Sequence, residues 1–216
     1  MTEPLVDPLW RNATDLCRDL QRGTIAATTL MENIYARIAA LNPRLNALVD
    51  LISQEQAMAL AATADAVPIA ERGPLHGLPM APKDAVAVKG FTTSWGYPGF
   101  SENVEAQDDE LAQRLREAGA IFIGHSNMPE FGLGSHTFNQ LYGHTYNPWD
   151  LSKTPGGSSG GAAVALAADM LPLADGSDLG GSLRNPASFC NVVGFRPSIG
   201  RMPFSRGFGW YGRMVT

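Results

Sequence analysis

Residues 156 to 182 read GGSSGGAAVALAADMLPLADGSDLGGS, and this stretch narrows the possible folds most, because two glycine-wrapped serine clusters flank one helix of small residues. The first cluster, Gly156-Gly157-Ser158-Ser159-Gly160-Gly161, carries no bulky side chain, so its backbone can take positive φ or approach another group closely. AAVALAA follows, a strong helix former with Ser159 placed as its N-cap. Leu171 to Asp175 then read as a short buried strand leading into the second cluster, Gly176 to Ser182. A serine that follows two glycines at the end of a strand can present its hydroxyl beside several unpaired backbone N–H groups. Such donors are what a developing oxyanion needs, which makes this stretch the candidate active site.

The rest of the chain supplies layers around it. Apolar spacing predicts a helix over residues 13 to 22, stopped by Gly23. A second, longer helix starts at Thr24 or Ala26 and runs through Met31, Ile34, Tyr35 and Ile38 to Leu41, where Asn42-Pro43 ends it. Leu45 to Val49 read as a strand, and Ser53 caps a third helix that reaches Ala64. The apolar segment from Leu78 to Val88 suits an interior strand and its outgoing turn, with Lys83 at the strand's end. DDELAQRLREA, residues 108 to 118, forms an amphipathic helix before Gly119, and Ala120 to Gly124 follow as a central parallel strand. Helix then strand, twice over, argues an α/β fold: a mixed, mostly parallel sheet covered by helices, in a single domain over residues 1 to 216.

Lys83 stands out because only three lysines are present and this one lies between Met80-Ala-Pro and Ala85-Val86. Burial disfavours the charged form of an amine. To act as a base near neutral pH its pKa must fall by roughly three units from about 10.4, at a cost on the order of 4 kcal/mol.

From Gly156 to Ser198, GGSSGG followed by DGSDLGGSLRNPASFCNVVGFRPS resembles the signature block of the amidase signature family, a long and specific motif. Several assignments are implied by the resemblance. Ser182 is the nucleophile, Ser158 the bridging serine behind a cis Gly157-Ser158 peptide, and Lys83, in Pro82-Lys83-Asp84, the base. The backbone N–H groups of Leu179, Gly180, Gly181 and Ser182 form the oxyanion hole. Ser159 supports Lys83 or Ser182, and Asp178 pairs with Arg184 to clamp the glycine loop. The fold implied is the N-terminal part of the family's, the activity is hydrolysis of a small-molecule amide through an acyl-enzyme, and no cofactor is required. Family members are usually much longer, so the chain reads as incomplete after Arg213 to Thr216, its pocket completed by a missing C-terminal half or in a homodimer. Two alternatives stay open beside the amidase: the glutamine-hydrolysing subunit of a tRNA-dependent amidotransferase, and a silent fragment that serves as a binding or assembly module.

Other chemistries find less support. His76, His125, His136 and His144 sit in no triad context, and Gly181-Ser182-Leu183 lacks the second glycine of a nucleophile elbow. GGSSGG before a helix could cradle phosphate, but Ala162-Ala163 stand where a Walker lysine would follow. No spaced ligand set for a metal is present. A net charge of −5 gives no footprint for direct nucleic-acid binding. Cys17 and Cys190 suit small buried thiols in a reducing compartment. With no signal-peptide pattern and no apolar run of membrane-spanning length, the expected location is the cytoplasm, without a membrane partner.

Overall fold

The structure is a computed structural model that describes residues 11–202. The chain end at Arg213 to Thr216 lies outside the described residues. In chain order the elements are α1 (Ala13–Arg22), α2 (Ala27–Leu45), β1 (Leu48–Val49), α3 (Gln54–Asp65), β2 (Pro79–Met80), α4 (Glu110–Glu117), β3 (Ile121–Phe122), β4 (His125–Ser126), β5 (Phe138–Asn139), β6 (Gly143–His144), α5 (Gly160–Ala167) and α6 (Arg184–Cys190). The fold is α/β.

Local chemistry explains the helix ends. Asn12, Ser53 and Asp109 each accept a backbone N–H from the first turn of α1, α3 and α4, and Gly23 closes α1 in the left-handed conformation. Helix α2 departs from expectation: it continues through Pro43 to Leu45, so the strand predicted from Leu45 shrinks to β1. Pro43 falls in the last turn, and the Asn42 side chain caps that end, accepting the N–H groups of Ala47 and Leu48 at 2.9 Å.

The central layer is mixed. Segment 121–127 runs through its middle, parallel to β2 and antiparallel to β1: β2 pairs with β3, Lys83 bridges to Ser126 in parallel, and β4 pairs with β1. Pro79 and Pro82 donate no N–H, which keeps the β2 ladder short. Residues 171 to 175 form no ladder among the described residues, contrary to the strand read there. Leu171 and its neighbours Leu173 and Ala174 pack on the main core instead, and Pro172 has no N–H to give a ladder.

That core gathers Leu16, Leu30, Met31, Ile34, Leu78, Ile123, Val164 and Met170 between the sheet and the helices. Helix α5 runs through it with both glycines buried. A Cβ at Gly161 would collide with the backbone of Asn127 and Ala47, so glycine there lets the serine cluster lie directly against the sheet. Among the described residues no helix is long and apolar enough to cross a membrane.

Candidate active site

Two segments bring the site together. Lys83 leaves the end of β2 and is 1 % exposed, among the most deeply buried large side chains of the protein. The first serine cluster arrives at the start of α5 with the Gly157–Ser158 peptide cis. The Lys83 Nζ lies 2.7 Å from Ser158 Oγ, 3.0 Å from Ser159 Oγ and 2.8 Å from Ser177 Oγ. Ser158 and Ser159 are buried with it.

Ser159 occupies the N-cap position of α5, yet its side chain makes no cap hydrogen bond. Its oxygen accepts the Ser177 N–H at 3.1 Å and the lysine amine, and its hydroxyl donates to the Ser177 carbonyl at 3.3 Å. With that proton directed away, Ser159 can only accept from Lys83. A neutral amine has two N–H bonds and one lone pair. If Ser159 and Ser177 take the two N–H groups, the lone pair is left for the Ser158 hydroxyl.

Burial is the largest influence on the amine and pulls Lys83 down to about 7, against the opposing fields of Asp175 and Asp178. Near neutral pH a substantial share of the molecules therefore carries a free base at this position. Asp175 receives the Lys83 backbone N–H at 3.2 Å from each carboxylate oxygen, and burial pushes its own carboxyl up. Next along the chain, Asp84 accepts the N–H groups of Ser94 and Gly96 at 2.8 and 3.0 Å and the Ser94 hydroxyl, fixing the turn beyond.

The second cluster is fixed by Asp178, which is fully buried. Its carboxylate accepts Arg184 Nε at 2.8 Å and Nη2 at 2.9 Å in a bidentate pair, and the N–H of Gly181 at 2.8 Å. The N–H groups of Leu183 and Arg184 and the Arg196 guanidinium add to it. These partners outweigh the desolvation that would raise it and hold the carboxyl well below the usual carboxylate range. Asp178→Asn would place two N–H donors among these donors; it is expected to cost about 3 kcal/mol of stability. A urea titration of the variant against the parent chain checks this, and an unchanged midpoint would remove the clamp assignment.

Gly181 N–H is thus engaged by Asp178, so of the four backbone donors assigned to the oxyanion only those of Leu179, Gly180 and Ser182 have no backbone or side-chain acceptor among the described residues. Ser182 is half-buried. Its carbonyl accepts the Ser159 N–H at 2.9 Å, which ties the two clusters together. Among the described residues, no hydrogen bond joins the Ser182 hydroxyl to Ser158 or Lys83. The row of amine and two hydroxyls is therefore assembled only as far as Ser158.

Sequence reasoning gave no role to Ser177 or Asp175, although both lie inside the stretch it singled out. Spacing alone does not reveal that a loop residue 94 positions away in sequence meets the lysine. Among the described residues, no histidine side chain hydrogen-bonds to Lys83, Ser158 or Ser182. His125 is buried and donates Nδ1–H to the Pro82 carbonyl at 2.9 Å; His136 stacks on Phe138, and Phe138 on His144. At the N-terminus of α5 the Gly161 N–H donates to the Asn127 carbonyl and the Ser159 N–H to the Ser182 carbonyl, so these two donors are not free for a phosphate. A cavity of about 830 Å³ lies against α5 and α6; Ser159, Asp175 and Gly176 border it with Leu166, Leu173 and Val192, while Lys83, Ser158 and Ser182 do not. It is an apolar recess beside the amine cluster.

Comparison with known proteins points the same way as this geometry. The family model described as Amidase matches residues 29–213. A glutamyl-tRNA(Gln) amidotransferase subunit from Syntrophobacter fumaroxidans is 44% identical over 187 residues, covering 85% of this chain and 38% of the relative. Among solved structures, a bacterial aryl acylamidase of the amidase signature family superposes with a TM-score of 0.85 at 31% identity, over 93% of this chain and 42% of its own. The 6-aminohexanoate cyclic dimer hydrolase complexed with substrate gives 0.81 at 35% identity, over 90% and 39%. The chain spans about two-fifths of the length of the relatives it matches.

Proposed function

Because this chain belongs to the amidase family, we propose that it carries the catalytic cluster of an enzyme that hydrolyses the C–N bond of a carboxylic amide. The observation that carries the proposal is the buried Lys83 amine, 2.7 Å from Ser158 and with a pKa of about 7. Neutral Lys83 takes the proton of Ser158 as Ser158 takes that of Ser182, and Ser182 Oγ attacks the carbonyl carbon. The relay closes once the Ser182 rotamer turns toward Ser158. The N–H groups of Leu179, Gly180 and Ser182 receive the oxyanion; losing one such donor costs about 3 kcal/mol of transition-state stabilisation. The proton then returns along the same row to the leaving nitrogen, the C–N bond breaks, and water releases the acid from the acyl-enzyme. Asp178 and Arg184 hold the loop that presents these donors, and Ser159 and Ser177 orient the amine.

Incubation of the chain with a fluorophosphonate, which phosphonylates activated serines, tests the proposal. Covalent labelling at Ser182 is expected; a folded sample that stays unlabelled would falsify it for this chain and leave the assembly-module reading. A second reading, glutamine hydrolysis as part of a tRNA-dependent amidotransferase, is favoured by relatives such as the Syntrophobacter fumaroxidans protein. Ammonia release from glutamine that requires added partner subunits and tRNA distinguishes it from a free-standing amidase. Two free cysteines, Cys17 and Cys190, fit the reducing cytoplasm for either.

A further inference from the structure

A group of aromatic rings on the segments around residues 97–100 and 131 is not used by the chemistry above. Tyr97, Phe100 and Phe131 contact one another with centroids 5.4, 5.3 and 6.2 Å apart, two of the pairs edge-to-face. Each is 40 to 46 % exposed, and Leu133 extends the patch at 68 %. Exposed aromatic groups of this kind mark a binding surface more often than a structural one.

The patch is built into the site from both sides. Phe131 precedes Gly132, whose position faces the reacting groups: a Cβ there would stand 3.6 Å from Ser158 Oγ. Tyr97 follows Gly96, whose N–H is held by the carboxylate of Asp84, the residue next to Lys83. The two segments are clipped together by the Phe131 N–H donating to the Trp95 carbonyl at 2.8 Å. At that clip Trp95 and Phe131 have φ of 54° and 53°, a left-handed conformation that bulky side chains rarely adopt and that concentrates at functional sites. The rings themselves bear no charge, and the charged residues beside them in sequence, Glu102 and Glu130, are both acidic.

Taking Ser158 and Ser182 as the reacting groups, as proposed above, we infer that Tyr97, Phe100 and Phe131 form a platform for an uncharged apolar group, aryl or alkyl, attached directly to the scissile amide. The acidic flanks disfavour a substituent that ends in a carboxylate, and rigid rings bind a flat apolar group with little ordering cost. The platform is thus a specificity element, and the substrate class is an apolar carboxamide.

Competition against labelling by a small ethyl fluorophosphonate tests this on the full chain. Acetamide, benzamide and acetanilide are compared by the concentration that halves the labelling rate; the last two place the ring on the acyl and the amine side. At least one aryl amide is expected to protect at about tenfold lower concentration than acetamide, and which one does so assigns the side. Phe100→Ala and, as an independent variant, Tyr97→Ala should remove most of that preference, each read as protection relative to that variant's own labelling rate with the small probe. Equal protection by all three amides, or a preference that survives both substitutions, overturns the platform and leaves the amidase reading intact. Labelling by no probe at all in the parent chain removes the amidase reading, and the platform with it.

Discussion

Ser182→Ala is expected to abolish fluorophosphonate labelling and to lower amide turnover by roughly 10⁶-fold, the scale on which removal of a serine nucleophile acts. The same substitution should leave the fold almost untouched. Among the described residues the Ser182 hydroxyl makes no hydrogen bond; the ties of residue 182 to its surroundings run through its backbone, the carbonyl held by Ser159 N–H. The adjoining N–H groups of Gly181 and Leu183 stay with Asp178. Thermal unfolding within a few degrees of the parent, together with complete loss of labelling, would assign the effect to chemistry. Retained labelling would move the nucleophile to another serine, and Ser158→Ala then decides whether the bridging position has taken that part.

For Lys83→Met the expected loss of turnover is about 10² to 10⁴-fold, the usual contribution of a positioned general base, and the pH dependence changes with it. In the parent chain labelling should rise with pH through about 7, where the buried amine gives up its proton, and level off above. Stability follows from linkage. The unfolded lysine titrates near 10.4 and the folded one at about 7, so between those values the unfolded chain binds the extra proton. The Lys83 contribution therefore increases as pH rises across that window, by up to about 1.4 kcal/mol per unit, and is lost as pH falls back through 7.

Other buried groups work against it in the alkaline part of the window. Cys190 and Tyr35 are each pushed up to about 12 by burial, so above their unfolded values the folded chain holds the extra protons and stability falls. The difference between parent and Lys83→Met urea midpoints at pH 6, 8 and 10 cancels those common terms. It should favour the variant most at low pH, since methionine carries no charge to desolvate. A difference that does not vary with pH would exclude a depressed amine at position 83.

What could be read from the chain was local or carried by a long motif. Gly23 as a stop and Ser53 as a cap depend on atoms a few residues apart, and their preference is present before any tertiary contact forms. The glycine-rich stretch showed where a backbone would pass close to others, as Gly161 does against Asn127 and Ala47, and the lysine and two serines were named through resemblance. Contacts made at long range were not legible in the same way. The extension of α2 through Pro43, where the Asn42 side chain reaches forward to Ala47 and Leu48, overrode the local stop signal of Asn42-Pro43. The missing ladder at 171 to 175 depends on which segments are present to pair with it. Ser159 serves the lysine and Ser177 instead of capping α5.

By itself the sequence determined α1, α3 and α4 with their caps, the alternation that makes the fold α/β, and the stretch where chemistry could reside, since each is written in neighbouring side chains and in backbone freedom. Only the tertiary structure decided that one amine would meet three hydroxyls from two loops in a dry interior, and that the ring of Phe131 would join those of Tyr97 and Phe100. Those outcomes depend on distances between residues tens of positions apart, and on how far burial shifts a charge, and both exist only once the chain has closed on itself.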